Sequence, residues 1–105
     1  MAAAAALAIL AVAVAGCAKP AQPRTFTVTI AQMAYGPTPP SMRVGDSIKW
    51  VNADILQHTA TAKDGSFDVD LPPKATATTR IAHAGTVDFY CRYHPGMTGR
   101  LSVAG

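Results

Sequence analysis

The feature that most constrains this chain is the alternation of polar and apolar residues that begins at Thr25. From residue 25 to residue 30, threonine and apolar residues alternate without a break, so Phe26, Val28 and Ile30 share one face. This period of two is typical of a strand with one buried side. Further short segments of similar character follow, and we predict strands over residues 47–52, 58–62, 75–81, 86–91 and 99–103.

Turn-forming residues separate these segments at short intervals. They are Gly36-Pro37, Pro39-Pro40, Gly45-Asp46, Asp64-Gly65, Pro72-Pro73 and Ala84-Gly85. The six acidic residues are all aspartate, and the lack of glutamate, a favoured helix former, argues against a helix-rich protein. Short strands at this spacing, with no helical period after residue 24, predict an all-β fold, an antiparallel β-sandwich.

The first 16 residues have a different character from the rest of the chain. They comprise fifteen apolar residues and one glycine. This apolar run is shorter than the roughly 20 residues that a helix needs to span a bilayer. We therefore predict an export signal over residues 1–16. The segment Val14-Ala15-Gly16-Cys17 resembles a bacterial lipobox, in which cleavage precedes a cysteine that then carries lipid.

Residues 17–24 contain two prolines and no periodicity, so we predict a tether between the lipidated Cys17 and one folded domain over residues 25–105. The expected location is periplasmic or otherwise extracytoplasmic, with a lipid anchor in the membrane. A lipidated Cys17 also leaves Cys91 without a disulfide partner. The net charge of +3 comes from scattered basic residues, which argues against a nucleic-acid partner.

The segment from Cys91 to Met97 carries the most informative chemistry. Cys91, His94 and Met97 supply a thiol, an imidazole and a thioether within seven residues, directly after a strand whose alternation turns Cys91 inward. Such soft ligands together with imidazole suit copper. His58 begins a predicted strand 33 residues earlier and can supply a second imidazole at the same end of a sandwich. Two histidines, a cysteine and a weak methionine form the ligand set of a blue-copper site.

At this point the chain resembles the cupredoxins, the blue-copper family with a Greek-key β-sandwich that includes amicyanin-like and plastocyanin-like members. The spacing Cys-x2-His-x2-Met matches the short ligand loop of the amicyanin-like members. Four further segments resemble the family around the first ligand histidine and at the C-terminal end, namely residues 45–52, 57–59, 64–67 and 84–86.

The resemblance implies a role for each site residue. His58, Cys91 and His94 would be the equatorial ligands of one copper ion that alternates between Cu(I) and Cu(II), and Met97 would be its axial ligand. His94 would lie nearer the surface and pass the electron to redox protein partners. Thr59 would form a hydrogen bond that steadies the loop carrying Cys91 and tunes the reduction potential. The domain is expected to act as a monomer.

Other interpretations of the same residues stay open from the sequence alone. Cys91 can be an inert buried cysteine, a zinc ligand, or a nucleophile with His58 or His94 as base, although Met97 is a poor zinc ligand and no oxyanion signature accompanies the thiol. A periplasmic copper carrier is the main alternative to an electron carrier. A copper oxidoreductase is disfavoured, because three histidines cannot supply a multicopper cluster.

The remaining distinctive side chains are interpreted as structural. We predict that Trp50 lies in the core and that His83 is an exposed turn residue, while Met33 and Met42 fill the core or loops. Three basic residues are expected to lie on a solvated surface: Lys63, Arg92 and Arg100.

Overall fold

A computed structural model of the chain describes residues 2–5, 8–9 and 22–105. Over residues 22–105 it contains nine strands and no helix, which confirms the all-β sandwich. The strands are β1 Thr25–Ala31, β2 Ala34–Tyr35, β3 Met42–Arg43, β4 Ser47–Asn52, β5 His58–Ala62, β6 Asp68–Leu71, β7 Thr76–Arg80, β8 Gly85–Tyr90 and β9 Thr98–Ala104.

The strands form two sheets, in the orders β2-β1-β4-β7 and β3-β9-β8-β5-β6. Two pairs, β1 with β4 and β3 with β9, are parallel, so the expectation of a purely antiparallel sandwich is wrong at these places. After β1 and β2 the chain crosses to the other sheet to form β3, and it then returns as β4, which runs parallel to β1. Alternation identifies the side chains that share a face, but it carries no information about the direction of the neighbouring strand.

Three strands escaped the sequence prediction, and each is short. The strands β2 and β3 have two residues each, too few to display a period. The strand β6 has four residues, in which two aspartates alternate with apolar residues. The predicted bounds of β4 and β5 agree with the structure, whereas β8 ends at Tyr90, so Cys91 lies one residue beyond its strand.

The core lies between the two sheets and contains the side chains predicted to face inward. Trp50 and Phe89 are fully buried with their ring centroids 5.2 Å apart, and Tyr35 packs edge-on against Phe89 at 4.8 Å. Trp50 is therefore a core residue, as predicted, and its Nε1 donates to Thr79 Oγ1 at 3.0 Å. Met42 is also fully buried. This rigid centre supports the end of the sandwich at which β5 begins and β8 ends.

The N-terminal predictions fall largely outside this description. The predicted lipidation site Cys17, most of the predicted export signal and most of the predicted tether lie outside the described residues. In the part of the chain that the structure does describe, no helix has the length and apolar character needed to cross a membrane.

Candidate metal centre

Three of the four predicted ligands lie together at one end of the sandwich. His58 is the first residue of β5, Cys91 directly follows β8, and His94 lies in the loop that leads to β9. Their ligand atoms all lie within 4.8 Å of one another. The Cys91 sulfur is 3.8 Å from Nδ1 of His58 and 3.8 Å from Nδ1 of His94. The arrangement therefore presents one sulfur and two nitrogens to a common point.

The loop before His58 is fixed by the buried Asn52, the last residue of β4. The Asn52 amide donates to the carbonyl oxygens of Leu56 and Leu71 at 2.8 Å, and its own Oδ1 accepts from the N–H of Asp54 at 2.9 Å. A buried amide with this many partners leaves the loop little freedom. The hydrogen bonds of Asn52 thus fix the loop from which His58 enters the site.

A carboxylate sets the orientation of the His58 ring. Asp54 Oδ2 lies 2.8 Å from His58 Nε2, and the same carboxylate accepts the backbone N–H groups of Gln32 and Met33 at 2.8 and 3.1 Å. These hydrogen bonds, with the one to His58, hold the pKa of Asp54 below its ordinary value. Because an ionised carboxylate only accepts, Nε2 of His58 carries a proton toward Asp54, and the ring turns its other nitrogen, Nδ1, toward Cys91.

The loop from Cys91 to Met97 is folded back on itself by three backbone hydrogen bonds. The His94 N–H donates to the Cys91 carbonyl at 3.3 Å, and the Met97 N–H donates to the His94 carbonyl at 2.8 Å. The Cys91 N–H in turn donates to the Met97 carbonyl at 3.1 Å. Met97 is buried and its backbone lies against Cys91, while His94 is half-buried.

The environment of Cys91 favours the thiolate. Burial alone raises the pKa of the thiol, but hydrogen bonds outweigh that effect and lower the pKa to about 6. The hydrogen-bond partners, in order of effect, are the backbone N–H of Thr59, the rings of His58 and His94, and the backbone N–H of Tyr93. The Thr59 bond to sulfur measures 3.4 Å. The thiolate is the form of cysteine that binds metal, so the site has this form available at neutral pH.

Thr59 connects the sulfur to the surrounding protein with three different groups. Its N–H donates to Cys91, its hydroxyl accepts from the Arg92 N–H at 2.9 Å, and its carbonyl accepts from the Tyr35 hydroxyl. Burial and the nearby Cys91 charge raise the pKa of Tyr35, so its hydroxyl remains a donor. The hydrogen bond expected from Thr59 to the ligand loop therefore exists, through the residue after the cysteine.

Sequence reasoning missed Asp54 and did not predict the hydrogen bonds of Asn52 and Tyr35. Asp54 lies four residues before His58, which is a usable signal, since metal-bound histidines commonly donate their second ring N–H to a carboxylate. Nothing in the sequence connects Tyr35 to Thr59, because that contact depends on the pairing of the short strand β2. Arg92 lies on the exposed surface, as predicted, and there it forms ion pairs with Asp68 and Asp70.

The spacing of the three donor atoms fits a bound metal ion. Typical metal bonds measure about 2.3 Å to sulfur and about 2.0 Å to nitrogen. With a sulfur–metal–nitrogen angle of about 120°, the sulfur and the nitrogen lie about 3.8 Å apart. That is the distance found from the Cys91 sulfur to both imidazole nitrogens. A thiolate and two imidazoles, with the buried Met97 in the same loop, suit copper better than zinc. The site can thus bind one copper ion.

Comparisons with known proteins agree with this geometry. A family model described as a Cupredoxin-like domain matches residues 3–103. The amicyanin of Paracoccus versutus is 28% identical over 72% of this chain and 62% of its own length. The plastocyanin of a Synechococcus strain is 29% identical over 89% of this chain and 83% of its own length. The chain spans just under two thirds of the length of the two Paracoccus amicyanins that it matches.

A solved structure gives the same result for the fold. The reduced Cu(I) form of an amicyanin variant superposes with a TM-score of 0.65 and 26% identity. The match covers 76% of this chain and 82% of that one. The match of the family model to nearly the whole chain, together with the sandwich and its Cys-His-His cluster, shows that this chain belongs to the cupredoxin-like family.

Proposed function

We propose that the domain is a blue-copper electron carrier, in which His58, Cys91 and His94 hold one copper ion equatorially and Met97 is its axial ligand. The observation that carries the proposal is a thiolate sulfur at the same distance, 3.8 Å, from two imidazole nitrogens. Copper in such a site supplies reversible one-electron chemistry. The similarity of this chain to amicyanin and plastocyanin, and to the structure of a Cu(I) form of amicyanin, supports this assignment.

The protein's part is to keep the donors in place when the charge of the site changes. Asp54 fixes the ring of His58, and Thr59 fixes the sulfur of Cys91, before any metal binds. Donors held in this way move little between oxidation states, so little reorganisation opposes electron transfer. Four protein ligands leave no strong position for a substrate, which favours carriage of electrons over catalysis.

His94 is the proposed route for the electron. It is half-buried, whereas His58 is fully buried and its outer nitrogen is bonded to Asp54. Its neighbour Tyr93 is 50% exposed, and Pro95 and Gly96 are exposed as well. A redox partner that docks at this end would therefore reach His94 before it reached any other proposed ligand.

A titration with Cu(II), followed by visible absorption, tests the site. One equivalent of copper should produce an intense thiolate-to-copper band, and Cys91→Ser should abolish it. Met97→Ala should raise the reduction potential or loosen the metal while the band persists. A wild-type protein that binds copper without this band is not a blue-copper protein. An unchanged potential and affinity in Met97→Ala would mean that another residue is axial.

The same copper protein separates an electron carrier from a copper carrier. We expect slow loss of copper to a chelator and rapid reduction by small electron donors. Rapid loss of copper with slow reduction would favour the copper carrier instead.

We further propose that residues 1–16 are an export signal, that Cys17 carries lipid, and that the domain of residues 25–105 works at an extracytoplasmic membrane surface. The support is the uncharged apolar run followed by the lipobox-like segment. In a host that processes lipoproteins, the full chain should partition into a detergent phase, and Cys17→Ala should return it to the aqueous phase. Equal partition of both proteins would refute the anchor.

A further inference from the structure

A closed ring of polar groups lies beside the cysteine ligand and reaches from the buried end of β5 to the surface. The Arg92 N–H donates to Thr59 Oγ1 at 2.9 Å, and Thr59 Oγ1 lies 2.9 Å from Thr61 Oγ1. The Thr61 hydroxyl donates to Asp68 Oδ1 at 2.8 Å. The Arg92 Nε then donates to the same Asp68 oxygen at 3.0 Å, so the ring starts and ends at Arg92.

The carboxylate of Asp68 determines which group donates and which accepts in each hydrogen bond of the ring. Hydrogen bonds from Thr61 and Arg92 keep the pKa of Asp68 below its ordinary value, so this group only accepts. Thr61 must therefore donate outward, which obliges its oxygen to accept from Thr59. The oxygen of Thr59 remains free to accept the Arg92 N–H. Both threonines are buried, so water is a poor substitute for any of these partners.

We propose that Asp68 is a positioning residue for the metal site, which holds the Arg92 peptide, and through it Cys91, by fixing the direction of the two threonine hydroxyls. This inference rests on the proposed copper function for its significance, but the ring itself is a property of the metal-free protein. The same Thr59 that receives the Arg92 N–H also donates its own N–H to the Cys91 sulfur at 3.4 Å. Displacement of Thr59 or Arg92 would therefore change the surroundings of the sulfur.

The ion pairs that Arg92 forms with the two aspartates contribute little to the stability of the fold. The side chains of Arg92, Asp68 and Asp70 are 36%, 56% and 63% exposed, and exposed pairs contribute little to stability. The part of the ring that is costly to disturb is the buried pair of hydroxyls. The effect of removing Asp68 should thus come from these two hydroxyls and not from the loss of the exposed ion pair.

Asp70 provides a matched control within the same strand. It pairs with Arg92 Nη2 at 2.5 Å, lies two residues from Asp68 on β6, and forms no bond to either threonine hydroxyl in the described structure. Asp68→Ala and Asp70→Ala each remove one negative charge and one partner of Arg92. Only Asp68→Ala opens the ring, so a difference between the two variants reports the ring and not the charge.

The first test uses the metal-free protein and measures amide hydrogen exchange of Arg92 by NMR. Asp68→Ala should speed exchange of this N–H by about tenfold, because the amide loses the protection that a buried hydrogen bond gives. Asp70→Ala should leave the exchange rate unchanged. Equal exchange rates in the two variants would overturn the proposal. This outcome does not depend on copper, so it is separate from any failure of the proposed function.

The second test uses the copper-loaded protein and measures the thiolate-to-copper band and the copper hyperfine splitting. Both signatures should shift in Asp68→Ala and stay near the wild type in Asp70→Ala. Thr61→Val should reproduce the shift, and Thr61→Ser, which keeps the hydroxyl, should restore the wild-type spectrum. Thr61→Val with a wild-type spectrum would overturn the proposal, including in the case where Asp68→Ala does not fold.

Discussion

Cys91 is the residue at which burial and hydrogen bonding compete most directly. Apolar surroundings oppose ionisation of the thiol, and yet four hydrogen-bond partners bring its pKa to about 6. Because this value lies below that of an unfolded cysteine, the ionised thiol stabilises the metal-free fold at high pH. That contribution is complete above the unfolded pKa and is lost as the pH falls toward 6.

The ultraviolet absorbance of the thiolate measures this pKa directly. In the metal-free Cys17→Ser protein, which keeps only one thiol, we expect the absorbance to titrate with a midpoint near pH 6. The same protein in urea should titrate near the ordinary value of about 8.5 and serves as the control. A folded protein that titrates like the unfolded one would show that the donors do not act on the sulfur.

Asp54 places a negative charge directly behind His58, and this charge favours the more positive copper state. Asp54→Asn keeps the shape of the side chain and removes the charge, so the reduction potential should rise. A screened interaction on the order of 1 kcal/mol corresponds to a rise of tens of millivolts for one electron. Voltammetry of the copper protein measures the potential.

Asp88→Asn is the control for that measurement. Asp88 is also a paired carboxylate, but its partner is the exposed Arg100, and it has no contact with a proposed ligand. Its removal should leave the potential within a few millivolts because exposed charges are screened. If the two variants shift the potential equally, Asp54 acts only through the net charge of the protein.

At the level of whole strands, β8 and β9 depend on a missing side chain. Gly99 pairs with Phe89, and a β-carbon at Gly99 would lie only 2.2 Å from the end of the Phe89 ring. Phe89 cannot easily retreat, because it packs against Trp50 and Tyr35. The glycine therefore allows the aromatic core to sit directly under β9, next to the loop that carries Met97.

Gly99→Ala should consequently lower the free energy of unfolding by roughly 1–3 kcal/mol, the usual cost of overpacking a core. Urea unfolding of the metal-free domain measures this difference through its midpoint. Ser102→Ala, at an exposed position of the same strand, should change the midpoint little. Similar midpoints in the two variants would mean that Phe89 adapts without strain.

The strands also show why the sequence predicted part of this molecule and not the rest. The sequence pattern identified the six strands of five or more residues, β1, β4, β5, β7, β8 and β9, because a period of two is hard to see in shorter segments. It could not identify β2, and with β2 it lost Tyr35, whose hydroxyl reaches the carbonyl of Thr59. The proposed ligands could be chosen from their chemistry alone, but their supporting residues depend on loop conformation and strand pairing.

On the scale of the whole molecule, the proposed site joins parts of the chain that are far apart in sequence. His58 belongs to β5, and the other three proposed ligands lie between β8 and β9 in the same sheet. In residues 22–105 the one free cysteine is Cys91, so no disulfide fastens these segments. A metal bound to the folded domain would supply the missing link, since it binds a geometry that the unfolded chain lacks.

Copper should therefore raise the stability of the domain in a concentration-dependent way. At free copper about 100-fold above the dissociation constant, the gain is about 2.7 kcal/mol, and each further tenfold adds about 1.4 kcal/mol. Thermal unfolding in the Cys17→Ser background, with Cu(I) at several buffered concentrations, measures the gain without a second thiol competing for the metal. Cys91→Ser should lose most of the dependence while its metal-free midpoint stays measurable. If the midpoint of the Cys17→Ser protein does not move with copper, the folded chain does not bind the metal in preference to the unfolded chain, and the preformed cluster has no role in holding it.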